Sequence, residues 1–323
     1  MDWEVELITL YLFVCKHYQR ELSPYCMRMA RHADLRFSDE EAITIYLYGV
    51  IEGYRTIGAI HRYAQRHLTA WFPHLPGYKA FDYRINQLHD VFAPFVHLLC
   101  DKMIARQQTE QLTGLTDSMP IIMAQRGRRF HAKVAPEIAT KNGYCATKKL
   151  YYYGVKLHVI ASREKGTLPI PACIGLTDAG MHDRKAFEQI LPALPRQMLE
   201  CYADKAYQVE AQAIHQEQHV TLLTPVKKEK GQCFLDTVDQ WLSTAISQIR
   251  QPIESLFNWV NEKTGIQIAS KVRSYQGLIV HVFGKMTAAL FIMQQRLRLM
   301  ETPRCARGDV LSGGKENTAH ATA

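Results

Sequence analysis

LTDSMPIIMA, residues 115–124, reads as a buried β-strand with one acid inside it. An ionised carboxylate in mid-sheet is costly unless it is paired or holds a metal. Asp117 therefore either caps a strand or makes an Asx turn, or it belongs to a site whose other members come from elsewhere in the chain.

Outward from this stretch, four more β-like runs appear: LYYYGVKLHVIA (150–161), LPIPACIGLT (168–177), MLECYA (198–203) and VTLLTPV (220–226). Two helical segments interrupt them. HDRKAFEQILPAL (182–194) starts with Asp183 as its expected cap, and QVEAQAIHQEQ (208–218) links the last two strands. The order is three strands, helix, strand, helix, strand. Three consecutive strands predict antiparallel hairpins, and the later alternation predicts parallel crossovers.

Residues 1–105 are read as a helical region, with apolar helical spacing in 5–18, 39–51, 56–67 and 79–104. Ser38 followed by Glu41 fits a capping box. Gly53 breaks that helix, and RTIGAIHRYAQRH restarts it with Arg55, Arg62 and Arg66. A helix pair of this kind, basic in its second member, resembles a helix-turn-helix, although most helix pairs are simply core. Beyond the strands, a polar connection (227–243) leads into a long helix with apolar positions 246, 249, 253, 256, 257 and 260, where Pro252 marks a start or a kink. A further helix covers about 275–299, and residues 300–323 read as a disordered tail.

The chain has 323 residues, 47% hydrophobic, enough for a sizeable core. Lys plus Arg number 39 against 31 for Asp plus Glu, which points to a polyanionic partner. Residues 124–165 alone hold ten basic and two acidic residues. A solvated loop and a phosphate-binding groove both produce such a run. The eight cysteines form no Cys-x-x-Cys pair and read as reduced cytosolic thiols. Acids precede the first apolar run, which does not suit a secretory leader. His281 and Lys285 interrupt the longest apolar stretch, so no membrane-spanning helix is expected.

Two further acids stand out. Asp204, in ECYADKAY (200–207), ends an apolar strand, and Glu254 lies one step off the apolar face of the long helix. Each has a plain alternative: Asp204 as a turn residue beside Lys205, Glu254 as the partner of Arg250 one helical turn earlier. Together they suit phosphoryl chemistry, where two Mg²⁺ ions about 3.5–4 Å apart clamp the attacking and leaving oxygens. Such a site needs carboxylates converging from separate elements and no local motif. HQEQH (215–219) has zinc-like His spacing, but its Glu is misplaced for a zinc hydrolase.

The runs LTDSMPI, YYYGVKLH, GMHDRKAF, CYADKAY and IRQPIESLFNWVNEKTGIQIASKVRS, in that order, with FPHLPGYKAFDYRINQL (72–88) before them, resemble the DDE transposases of the bacterial 982 insertion-sequence family over about 1–295. The resemblance implies a ribonuclease H-like fold in 106–299: an α/β mixed five-stranded sheet with flanking helices, preceded by an all-α N-terminal domain that binds DNA ends. It implies a catalytic and metal-binding triad of Asp117, Asp204 and Glu254, with two Mg²⁺ ions or Mn²⁺ in their place. It implies cleavage of double-stranded DNA at terminal inverted repeats, freeing a 3′-OH that attacks target DNA. A homodimer on DNA, in the bacterial cytoplasm, is expected with it. Related families carry a basic residue one or two turns after the glutamate; position 261 here is Asn, which departs from that pattern, and Lys263 is a candidate substitute.

Arg126, Arg128, Arg129, Lys133, Lys156, Lys271 and Arg273 are the candidate DNA contacts. His158 and His182 are read first as structural, and Asp183 is the runner-up for the second ligand. Two rivals remain. One is a ribonuclease H-like nuclease without strand transfer, and the other a catalytically dead, DNA-binding transposase remnant.

Overall fold

The computed structural model describes residues 2–26, 36–107, 109–146, 148–208, 220–228, 231–232 and 234–301. Five helices open the chain: α1 Trp3–His17, α2 Asp39–Ile51, α3 Ile57–His67, α4 Tyr78–Gln87 and α5 His89–Ile104. The capping box starts α2. Ser38 Oγ accepts from Glu41 N at 3.1 Å, and the Glu41 carboxylate accepts from Ser38 N at 2.7 Å. The chain then turns at Gly53, whose φ of 88° suits a residue without Cβ.

Six strands follow: β1 Leu112–Gln125, β2 Asn142–Cys145, β3 Leu150–Ser162, β4 Ile170–Asp178, β5 Met198–Tyr202 and β6 Thr221–Leu223. β1 is central, antiparallel to β3 and parallel to β5, and β6 adds in parallel beyond β5. The outer edge of β3 is shared. β2 pairs with residues 150–153 and β4 with 155–162. The order β4–β3–β1–β5–β6, antiparallel first and parallel after, is compatible with a ribonuclease H-like sheet. Five of these strands carry a sequence signal. The sixth, β2, lies in the basic stretch read as groove or loop. Four residues, NGYC, are too few to show a period, and only pairing with β3 makes them a strand.

Asp183 does not cap its helix. It is the first residue of α6 (Asp183–Ile190), after His182, and its carboxylate is drawn to Ser118 and Lys156 on the sheet. The long helix is two, α7 Thr237–Arg250 and α8 Pro252–Thr264. Pro252 takes the first position of α8, where its missing N–H costs nothing. The last segment, α9 Tyr275–Ile279, passes through a wider turn at Val280–Gly284 into α10 Lys285–Glu301. Tyr275–Leu297 is long and apolar enough to cross a membrane, but most of it is buried inside the protein, where α10 packs on α2, α5 and α8. The expected helix at 208–218, the HQEQH pair and the tail fall wholly or almost wholly outside the described residues. The six described cysteines form no disulfide.

One hydrophobic core joins the N-terminal helices to the sheet. Leu115, Met119 and Ile121 of β1 and Val155, Leu157 and Val159 of β3 face Ile253, Leu256 and Val260 of α8 and Phe92, Phe95 and Val96 of α5. Phe13 meets Phe291 with ring centroids 5.2 Å apart, and Tyr46 Oη donates to Val280 O at 3.0 Å. The other face of the sheet packs Leu112, Ile160 and Cys201 against Phe187 of α6 and Tyr207.

Candidate active site

The register of two parallel strands brings two acids together. Leu115 of β1 pairs with Tyr202 of β5. Asp117 lies two residues beyond Leu115, and Asp204 two beyond Tyr202. Continued two residues past its last pair, the register levels Asp204 with Asp117 toward the face that α8 covers, near enough for the Asp204 charge to act on Asp117. β5 pairs with β1 only at 112–115, while Gln267–Ala269 bonds to Ile122 on the same edge of β1. Between them β1 has no strand partner on that edge among the described residues, and Asp117 sits in this gap.

Asp117 Oδ1 accepts from Ser118 N at 2.7 Å, and Oδ2 accepts from Arg250 Nη1 at 2.6 Å. Burial pushes its carboxyl up to about 6, assisted by the negative charges of Asp204 and Asp183, while the Ser118 N–H and Arg250 pull the other way. Asp204 begins the short turn Lys205–Tyr207 and accepts from Lys205 N at 2.7 Å. It is a turn residue and a neighbour of Asp117 at once.

Glu254 is the third residue of α8, where a helix favours a negative charge. Its Oε1 accepts from Arg250 Nη2 at 2.7 Å. Arg250 thus spans two of the three acids, one nitrogen to each. Sequence spacing shows only the Glu254 half of this bridge. The Asp117 half crosses 133 residues of chain and has no local signal. Among the described residues no three metal-ligating side chains are gathered closely enough to hold an ion as they stand. A guanidinium fills the space between two of them. Asp117 and Glu254, both bonded to that guanidinium, and Asp204, near enough for its charge to act on Asp117, are carboxylate oxygen donors of the kind a hard divalent cation takes, so the residue types fit such an ion.

The opposite face holds a separate polar group. Lys156 Nζ pairs with Asp183 at 3.0 Å and donates to Met181 O, and Asp183 also accepts from Ser118 Oγ at 3.0 Å. Buried His158 bonds Thr177 Oγ1 at 2.8 Å, and burial pushes its pKa down to about 4. Asp183 and Lys156 therefore lie behind the sheet from the three acids.

The remaining candidate cations gather at the far end of β1. Arg126, Arg128 and Arg129 follow it directly in the turn Arg126–Phe130, and Lys133 is exposed just beyond. Lys148 Nζ donates to Gln267 at 2.6 Å, tying this loop to the segment that carries exposed Lys271 and Arg273. Asn261 is not available to substrate: its Oδ1 accepts from Gln267 N at 3.2 Å. Lys263 pairs with Glu262 at 3.1 Å in the last turn of α8.

A family profile described as the transposase DDE domain matches residues 114–291. The match covers more than half of the chain. The chain belongs to this family. No curated protein and no solved structure matches it. The DDE domain so defined runs from β1 into α10 and includes Asp117, Asp204, Arg250 and Glu254. Membership supports a transposase function, with DNA as substrate.

Proposed function

We propose that the chain cuts DNA at the terminal inverted repeats of an insertion sequence and joins the freed 3′ ends to target DNA, as transposases of the 982 insertion-sequence family do. One observation supports this reading: Arg250 bonds both Asp117 of β1 and Glu254 of α8, and Asp204, just past the end of the parallel strand β5, is near enough to act on Asp117. Mg²⁺, or Mn²⁺ in its place, would be held by Asp117, Asp204 and Glu254 and would supply a Lewis acid for in-line displacement at phosphorus.

The chain's own groups prepare that chemistry. Asp117 is ionised at neutral pH, since its carboxyl is pushed up only to about 6. The Ser118 N–H holds Asp117 Oδ1 and Arg250 holds Oδ2, so a divalent cation held by Asp117 would compete with Arg250. The Lys205 N–H holds Asp204 at the strand end as the Ser118 N–H holds Asp117. Arg126, Arg128, Arg129, Lys133, Lys271 and Arg273 hold DNA phosphates along the end of the sheet. Exposed Arg62 and Arg66 of α3 are the candidates for reading the element's end. Two ends have to meet, so the working form is a homodimer on DNA.

The test is cleavage of labelled DNA carrying the element's end, with Mg²⁺ or EDTA, by wild type and Asp204→Asn. Wild type should cut only with the metal and yield joined products with target DNA, while Asp204→Asn binds and does not cut. Cutting without joining would reduce the chain to a nuclease. Binding without cutting by both proteins would make it a dead copy and Asp204 only a turn residue.

A further inference from the structure

The basic turn after β1 carries a row of exposed rings. Tyr144 and Tyr151 pair across β2 and β3 with centroids 4.7 Å apart. The Arg129 guanidinium lies 4.9 Å from the Tyr151 ring and 4.3 Å from the Phe130 ring. The row therefore runs Tyr144, Tyr151, Arg129, Phe130, and its three rings are 51%, 54% and 67% exposed. Arg129 Nε is buried with no hydrogen-bond partner. Residues 126–151 hold seven basic residues and one acid. Arg126 and Lys149, on either side of the row, both have positive φ, 57° and 48°.

Charge and rings together define the partner. The charge suits a polyanion, and the family supplies DNA as the substrate. Solvent-exposed rings beside a basic groove suit nucleobases, because every base presents a π-face. A paired duplex hides those faces inside its stack, so only an unpaired or flipped-out nucleotide can use them. Position agrees with this. Tyr151 shares strand parity with Tyr153, Val155, Leu157 and Val159, and Val159 pairs with Asp117. Tyr151 thus opens on the face of the acids. Eight residues of strand separate it from the level of Asp117, roughly 26 Å at about 3.3 Å per residue. That is about eight base-pair steps at 3.4 Å each.

We propose that Tyr144, Tyr151 and Phe130, with Arg129 between the rings, form a stacking platform for an unpaired nucleotide of the DNA substrate, about eight base pairs from the cleavage point. This rests on the transposase reading for its substrate. Its test is a binding ratio that does not depend on cleavage.

Affinities of the full chain in EDTA would be compared for a paired duplex and for the same duplex with one unpaired 2-aminopurine nucleotide. The variants are Tyr144→Leu with Phe130→Leu, apolar at exposed positions, and Arg128→Glu as a charge control. Wild type should prefer the unpaired substrate by about five-fold or more, and the probe's fluorescence should be quenched on binding. The double leucine variant should lose the preference and the quenching while keeping its affinity for paired DNA. Arg128→Glu should weaken both substrates alike and leave the ratio. Equal wild-type affinities would overturn the platform. So would a preference that survives in the double variant, or a double variant whose only change is in self-association by sedimentation. A failed cleavage test with an intact ratio would remove the transposase reading and leave the platform standing.

Discussion

Arg250 is the group whose removal has the most calculable consequence. Its side chain is 15% exposed and bonds Asp117, 24% exposed, and Glu254, 53% exposed. The Glu254 arm is an exposed i,i+4 pair worth about 0.3–0.5 kcal/mol. The Asp117 arm is a charge-assisted bond in a half-buried setting, worth about 1.5–3 kcal/mol. Arg250→Ala should therefore lower stability in EDTA by about 2–3 kcal/mol at neutral pH, mostly through Asp117 left without its counter-charge. The same change removes a positive charge from the place that a divalent cation would take. Mn²⁺ should then stabilise the variant more than wild type, by a further amount set by RT ln(1 + [L]/Kd). Urea unfolding with EDTA and with a series of Mn²⁺ concentrations measures both terms. An unchanged midpoint in EDTA would show that the bridge carries no energy. Equal Mn²⁺ stabilisation of both proteins would refute the idea that Arg250 stands where the cation goes.

Two predictions concern pH. The Asp117 carboxyl lies above the ordinary value, at about 6, so between roughly 4 and 6 the folded chain holds a proton that the unfolded chain has lost. Asp117 thus makes the metal-free protein less stable as pH rises through that window, and a bound cation requires the proton to leave. Mn²⁺ affinity by titration calorimetry should be flat above pH 7 and fall about ten-fold per pH unit below 6; a flat profile down to pH 5 would remove Asp117 as a ligand. Burial pushes the Lys285 ammonium down to about 7, with Arg55 adding to the shift. Between about 7 and its ordinary value near 10.4 the unfolded chain binds the extra proton, so stability should rise with pH across that range. Lys285→Met should flatten the rise in urea midpoint between pH 7 and 9, and an equal slope in variant and wild type would show that Lys285 is not the source.

The strands were legible as apolar runs rich in β-branched and aromatic residues, because β1, β3 and β4 are buried along most of their length, and the order of strands and helices then predicts the sheet's mixed direction. β2 was not legible, because its identity comes from the edge of β3 and not from its own four residues. The three acids stood out for a related reason: each interrupts an apolar pattern, and the sequence records the interruption. Their relation did not stand out. The levelling of Asp204 with Asp117 depends on the register Leu115–Tyr202, and the Arg250 bridge depends on how α7 meets α8 at Pro252. Asp183 shows the limit most clearly. Its position at a helix start suggests a cap, yet it stands one residue inside the helix and pairs with Lys156, and only the fold puts that lysine within reach.

The position of Glu254 is set from the other end of its helix. α8 is 13 residues long, Glu254 sits in its first turn, and the last turn is gripped by side chains from outside the helix. Arg55, in the turn between α2 and α3, donates to Lys263 O at 2.6 Å and to Glu262 O at 2.8 Å, and packs over Gly265. His281 donates to Ile266 O at 2.8 Å, and Lys285 reaches Gly265 O at 3.4 Å. Carbonyls at a helix end lack internal partners and carry partial negative charge, so the Arg55 guanidinium, the Lys285 amine and an imidazole N–H there supply the missing donors. Arg55 belongs to the N-terminal helices, and His281 and Lys285 to the last helical segment. All of them share one core with the sheet that carries Asp117. The last turn of the helix that carries Glu254 is thus anchored by residues of both the N-terminal helices and the last helical segment.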